Sequence, residues 1–508
     1  MKISRLLPVI LLLSAAGAAT AETTVDYRGT VMVNASTGDY APYMIGSWNY
    51  GRVTGANGIW HNGEATKALD MDRRFSWGAG LEYMLGYGSA ADYNRWNSST
   101  QSMGTVSNRQ SSFRLQQIYA ELKYRAVFLT LGMKNSHSAM VDDRLSSGDL
   151  VRSNNARPIP ALSAGFLDFQ NIPFTNGWAQ INGEISYGKM ADNGYRKDTY
   201  NYYNDLISLG LWYTYKYVHF RSKPTEPLVV TLGMQTAGEF GGSTAYYRRG
   251  ELTEEVKRGF KVKDVFDMLL PREGSGEGYY KGNSLGSWDL KAAYRFRNDS
   301  RLTAYFQGLF EDGSGIGRQN GWDGLYGLQY DFKRRGIVSS VLVEYIDFTN
   351  QSGPIHFATS DNNGTSITTE VTGGDNYYNN DVYGPYSNFG MGIGSAFPVS
   401  PLYNSDGQLM FLHNRCRGFH AAVLGHLPLR WEYRAMVSYQ KAGGWGRKPG
   451  LHRLESTSAM VEASWQPSEA IPALHLKAQV AFDAGKLRGN NFGAMATVSW
   501  IGSLTFDK

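Results

Sequence analysis

Apolar residues alternate strictly with small or polar ones in segment after segment of this chain. Nowhere after residue 21 does it hold the roughly 18 consecutive apolar residues that a membrane-crossing helix needs. Trp77, Ala79, Leu81, Tyr83 and Leu85 alternate with Ser76, Gly78, Gly80, Glu82 and Met84, and Trp288, Leu290, Ala292, Tyr294 and Phe296 with Asp289, Lys291, Ala293, Arg295 and Arg297. The pattern returns in Leu302, Ala304, Phe306 and Phe310, in Trp431, Tyr433, Ala435, Val437 and Tyr439, and in Leu474, Leu476, Ala478, Val480 and Phe482. The last such segment is the longest, with Phe492, Ala494, Ala496, Val498, Trp500, Leu504 and Phe506 on one face. Period two sends alternate side chains to opposite sides of a strand. One segment of this kind fits a water-soluble sandwich or propeller equally well. Repeated along the chain, with 33 Tyr, 23 Phe and 12 Trp to form interfacial girdles, it fits strands with one face in lipid and the other in a polar lumen. The expected fold is all-β, a transmembrane antiparallel β-barrel. One strand and connection every ~25 residues gives an even number of about 16 to 18 strands.

The N-terminus agrees with that destination. Lys2 and Arg5 precede an apolar stretch over residues 6–16, and small residues end at Ala19-Thr20-Ala21, the layout of a secretory signal peptide. Its apolar core is too short to cross a bilayer about 30 Å thick as a helix. Residues 1–21 are therefore expected to be removed before Glu22, which, not being cysteine, excludes a lipid-anchored N-terminus. Residues 22–508 are expected to form a single barrel domain in the outer membrane of a Gram-negative-type envelope, entered through the outer-membrane assembly machinery. The lone Cys416 cannot form an intramolecular disulfide and reads as a small strand residue. A formal charge of +5 lacks the concentrated basic face that nucleic-acid binding requires.

Two stretches break the strand pattern. Residues 251–270 are charged and place Val262, Val265, Phe266, Met268, Leu269 and Leu270 at helical spacing before Pro271, which predicts a short helical insertion over 251–271 acting as a plug or cap. Residues 144–160 are polar and rich in Gly, Asn and Pro, so they belong in the lumen or a loop.

The irregular stretches also carry a resemblance. Leu145-Ser-Ser-Gly-Asp-Leu-Val-Arg-Ser-Asn-Asn-Ala-Arg-Pro-Ile-Pro160 is similar to a hallmark segment of the capsule assembly Wzi family. In the same order follow Gly282-Asn-Ser-Leu-Gly-Ser-Trp-Asp-Leu290, Phe310-Glu-Asp-Gly-Ser-Gly315, Asn376-Tyr-Tyr-Asn-Asn380 and Gly390-Met-Gly-Ile-Gly-Ser-Ala-Phe-Pro-Val-Ser-Pro-Leu-Tyr403. The resemblance implies a plugged outer-membrane barrel that anchors capsular or exopolysaccharide as a lectin does, without catalysis or cofactor. Sugar rings stack on Tyr and Trp, their hydroxyls bond Asn, Asp and Glu, and acidic groups pair with Arg.

Each candidate for polysaccharide contact has a plainer alternative. Arg152 and Arg157 either meet polymer or pair with lumenal carboxylates to hold the plug. Asp289 faces the lumen beside Trp288, itself a girdle residue. Glu311 and Asp312 bind a cation or sugar hydroxyls, or are simply solvated. Asn376, Tyr377 and Tyr378 form the most sugar-like cluster, although an aromatic loop at a membrane interface has the same composition. The nine histidines are scattered, with no motif of a hydrolase or metal site around them. The alternative function is a substrate-selective porin with arginines lining its lumen.

Overall fold

The computed structural model describes residues 23–269, 282–311, 313–316, 318, 320–353, 356–357, 371–372, 374–445 and 448–506. The expected signal peptide and Asp312 lie outside them. The barrel strands, in chain order, are β1 (Thr23–Ser36), β2 (Gly58–Lys67), β3 (Phe75–Gly88), β4 (Phe113–Tyr124), β5 (Val127–Met133) and β6 (Ala161–Phe166, resuming at Gln170–Asn171). There follow β7 (Ala179–Lys189), β8 (Trp212–Ser222), β9 (Leu228–Phe240), β10 (Asn283–Arg295), β11 (Arg301–Phe310) and β12 (Gly324–Asp331). The last six are β13 (Ser340–Asp347), β14 (Cys416–Leu427), β15 (Trp431–Trp445), β16 (Lys448–Trp465), β17 (Leu474–Gly485) and β18 (Asn491–Phe506). Each pairs antiparallel with the next, and β18 pairs with β1 from Thr23↔Phe506 to Ser36↔Gly493, closing an 18-strand barrel. Closure satisfies every strand edge within the sheet, the condition for a sheet to sit in hydrocarbon.

The alternation read from sequence sets the faces. On β3, Leu81 and Leu85 are exposed while Ser76, Glu82 and Met84 are buried in the lumen. On β18, Ala494, Ala496 and Val498 point outward between buried Gly493, Met495 and Thr497. Phe310 is the exception, since it has the outward parity of Phe306 but is buried beside Trp288, their ring centres 6.2 Å apart.

The two ends of the barrel differ. The end holding Thr23 and Phe506 has tight turns, such as residues 125–126 and 428–430, and the opposite end carries the long connections 37–57, 89–112, 134–160, 190–211 and 348–415. In outer-membrane barrels the tight turns are periplasmic and the long connections face outward. The stretch expected as one helical insertion is divided: among its described residues Glu251–Arg258 is a strand paired with Gly242–Arg248 and Val262–Leu269 is helical, here α1, while Leu270 and Pro271 lie outside the described residues. The charged Glu251–Arg258 run alternates as well as it coils, and a partner strand nine or so residues upstream decides the outcome. The helix lies against the outer wall, its carbonyls at Val265 and Met268 taken by Tyr187 of β7 and Lys216 of β8.

The core lies inside the lumen. Residues 134–160 and 374–415 fold into it, burying Leu145, Leu150, Val151, Tyr386 and Phe411 against the inward-facing Met84, Leu285, Leu342, Met436 and Met460. The two segments touch closely: a Cβ on Gly394 would stand 2.2 Å from the Leu150 carbonyl oxygen, so only glycine fits.

Candidate functional site

The plug is fastened by polar groups that the strands project inward. Glu344 on β13 accepts from Ser146 Oγ at 2.6 Å, Ser147 N at 2.8 Å and Tyr305 Oη at 2.5 Å. Asp149 in the plug accepts from Gln235 on β9 and Gln307 on β11, both at 3.1 Å, and the same two amides reach Asp289 on β10 at 3.2 and 3.1 Å. A buried carboxylate is tolerable only with such a set of donors, so these residues fix where the plug sits.

Most of the residues singled out in the sequence belong to this fastening. Arg152 makes a two-pronged pair with Glu184 on β7, at 2.9 and 3.1 Å, and stacks 3.5 Å above the Tyr215 ring. Asp289 is buried and accepts from His219 Nε2 at 2.8 Å. Glu311 takes the backbone N–H of Tyr378 at 2.5 Å, and Asn376 accepts from Asn379 and Asn414 at 3.0 and 2.6 Å. Tyr377 and Tyr378 are 0 % and 1 % exposed. This corrects the expectation of a sugar-stacking cluster, because a ring with no free face cannot receive a sugar. Tyr377 Oη accepts from Asn320 at 2.9 Å, and Tyr378 donates to the Leu150 carbonyl at 2.8 Å. Asp289, Glu311, Asn376, Tyr377 and Tyr378 are thus brought together as plug and wall, away from the surface.

Arg157 is placed differently. It leaves the plug at the outer rim and lines a pocket of about 170 Å³, with Tyr40, Tyr93 and Tyr195 among its aromatic walls and Asn108, Gln110, Asp192, Asn388 and Gln408 among its polar ones. Phe389 lies under the Arg157 guanidinium at 3.9 Å and beside the Tyr195 ring at 6.2 Å. Asn388 Nδ2 donates to the Arg157 carbonyl at 2.9 Å, and its buried oxygen has no partner among the described residues. The hairpin Ala91–Asn97 with Ser102–Asn108 supplies Tyr93, whose hydroxyl donates to the Asp198 carbonyl. Tyrosine rings, amides and guanidinium groups meet there, groups able to pack against a ring and hydrogen-bond hydroxyls or an anion. The sequence reading missed all of these residues except Arg157. The available signal was the Tyr, Asn and Arg content of residues 91–109, which lie in a connection and not in a strand.

On the periplasmic side the lumen holds a cavity of about 990 Å³, lined among others by Trp48, Arg52, Glu82, Glu432 and Lys477. The connection 48–53 divides the two spaces: Gly51 lines the outer pocket, while Tyr50 and Arg52 line the inner cavity. Arg52 is locked to Glu82 at 2.7 and 2.8 Å, and Arg114 holds the carbonyls of Gly51 and Arg52 at 3.3 and 2.8 Å. The partition is braced from both strands it crosses.

Fold and lumen together define an outer-membrane β-barrel whose interior is occupied by its own loops. No family model matches the chain, and no curated protein matches it in sequence. Among solved structures it is similar to Wzi, an Escherichia coli outer-membrane protein involved in group 1 capsule assembly and described as a carbohydrate-binding β-barrel. That match has a TM-score of 0.55 at 13% identity and covers 97% of this chain and 87% of the other. Pseudomonas aeruginosa OprD also matches, with a TM-score of 0.45 at 9% identity over 95% of each chain. At these identities the likeness shows the fold alone.

Proposed function

We propose that this protein binds capsular or extracellular polysaccharide at its outward rim and anchors it to the cell surface, without catalysis. The observation that carries this reading is a polar, tyrosine-walled pocket open to the outside, set over a lumen filled by residues 134–160 and 374–415. A polymer held there meets residues 134–160 and 374–415 and the 48–53 connection beneath it, which supports retention. The same fold serves carbohydrate binding in the capsule-assembly protein named above. The buried His219–Asp289 pair serves the lumenal network, and His219 Nδ1 has no partner among the described residues. A substrate-selective porin is the competing reading, favoured by the 990 Å³ periplasmic cavity and opposed by the partition at residues 48–53.

A deletion strain tests the proposal when cell-bound and free polymer are assayed separately. An anchor's loss leaves synthesis, export and chain length normal, sheds polymer into the medium and strips the coat. Collapse of total polymer, or a coat retained at full density, overturns it.

A further inference from the structure

We infer that the outer-rim pocket takes an acidic sugar residue, the Arg157 guanidinium serving as counter-charge to its carboxylate. This rests on the polysaccharide reading above and names the chemistry of the residue recognised.

Three arginines line the pocket, Arg109 at its mouth and Arg114 and Arg157 within, and none forms an ion pair with a carboxylate among the described residues. Arg114 is spent on the Gly51 and Arg52 carbonyls and on the Trp60 ring at 4.2 Å. The Arg157 side chain donates one hydrogen bond among the described residues, from Nη2 to the Leu115 carbonyl at 2.8 Å, and its face rests on Phe389. The remaining nitrogens of its fork are without a protein acceptor among the described residues. Its side chain is held in place along its length, since a Cβ on Gly51, where φ is +65°, would meet Arg157 Cγ at 3.0 Å. A half-buried guanidinium with no counter-charge is costly, and burial alone pushes its pKa down to about 10.

The acidic groups around it do not fill the role. Asp192 gives its oxygens to the backbone N–H groups of Gly194 and Arg196, at 3.1 and 2.9 Å. Asp198 is exposed at the mouth, as is Arg109, which adds a second positive charge there. A ligand carboxylate completes the set, accepting two parallel N–H bonds from the free edge of Arg157. Asn388 and Gln408 also line the pocket, but their side-chain oxygens are buried; the half-buried Asn108 amide on the same wall suits the hydroxyls that a uronate carries beside its carboxylate. Tyr40 and Tyr195 give its ring two aromatic neighbours.

The test uses the full-length barrel purified in detergent, titrated with glucuronate, glucose and inorganic phosphate. We expect glucuronate to bind at least tenfold more tightly than glucose, with phosphate a poor competitor. Arg157→Gln should remove that preference while the protein keeps its heat-modifiable migration, and Arg157→Lys should keep part of it. Equal binding of glucose and glucuronate by the natural protein overturns the inference without recourse to any variant, as does a preference that survives Arg157→Gln. Phosphate displacing glucuronate at equal concentration also overturns it, because the site is then a general anion site. Loss of the acid preference with neutral polymer still held on cells leaves the anchor standing, whereas a protein that binds neither sugar nor polymer sinks both.

Discussion

His420 on the barrel wall donates from Nε2 to the carbonyl of Leu145 in the plug at 2.8 Å, and its Nδ1 takes the Ser438 hydroxyl at 2.7 Å. A neutral imidazole is thereby fully used, and Glu344 grips the next two residues of the same segment. Removing either wall group leaves buried plug atoms without partners, at about 1 to 3 kcal/mol each. His420→Ala combined with Glu344→Ala should turn a silent barrel into one with stepwise openings in planar bilayers. A natural protein that conducts steadily would refute the plugged reading outright.

Arg152 and Glu184 form a second fastening, with side chains only 16% and 14% exposed. Breaking a buried pair from one side strands the other charge, at about 3 to 5 kcal/mol. Arg152→Ala should therefore lower the urea midpoint of the barrel markedly, and Arg152→Ala with Glu184→Ala should recover part of the loss. A double variant no better than the single would assign the effect to the Tyr215 stacking instead.

On β18, Val498 is 47% exposed on the lipid face and pairs with Val31 and Leu476, while Thr497 lines the periplasmic cavity. Val498→Arg should cost roughly 2 to 4 kcal/mol on unfolding from lipid, and Thr497→Arg distinctly less, because its charge enters a polar cavity. Equal costs would place the register one residue off.

The strands were legible because lipid on one side and lumen on the other impose period two on consecutive residues, so the parity of Leu81, Trp288 and Val498 could be read locally. No such period governs the loops. Whether Tyr377 is an interfacial ring or a buried one depends on Asn320, Phe348 and Asn414, far away in the chain. Asp149 likewise meets Gln235 and Gln307 across separations of 86 and 158 residues. Arg152 and Arg157 lie in one short polar stretch, yet one faces Glu184 and the other the rim. The residue types of the site were visible, and their sorting into plug and pocket was not.

Tyr377 and Tyr378 give the sharpest contrast between those roles. Tyr378 has a left-handed backbone at φ 66°, gives its N–H to Glu311 and its hydroxyl to Leu150, and stacks on Tyr386 with centroids 6.3 Å apart and planes 12° from parallel. Tyr377 meets Phe348 edge-on at 5.8 Å, and its carbonyl holds Asn414 at 2.6 Å. Truncating a large buried aromatic to alanine costs about 3 to 5 kcal/mol and leaves a cavity. Tyr377→Ala with Tyr378→Ala should therefore lower the unfolding temperature and admit ion current. Tyr378→Phe loses only the bond to the buried Leu150 carbonyl, about 1 to 3 kcal/mol, and should stay closed. Were the two rings a sugar platform, the double variant would remain as stable and as silent as the natural protein and would lose only its grip on polymer. Bilayer recording and thermal unfolding on the same preparations separate the two outcomes.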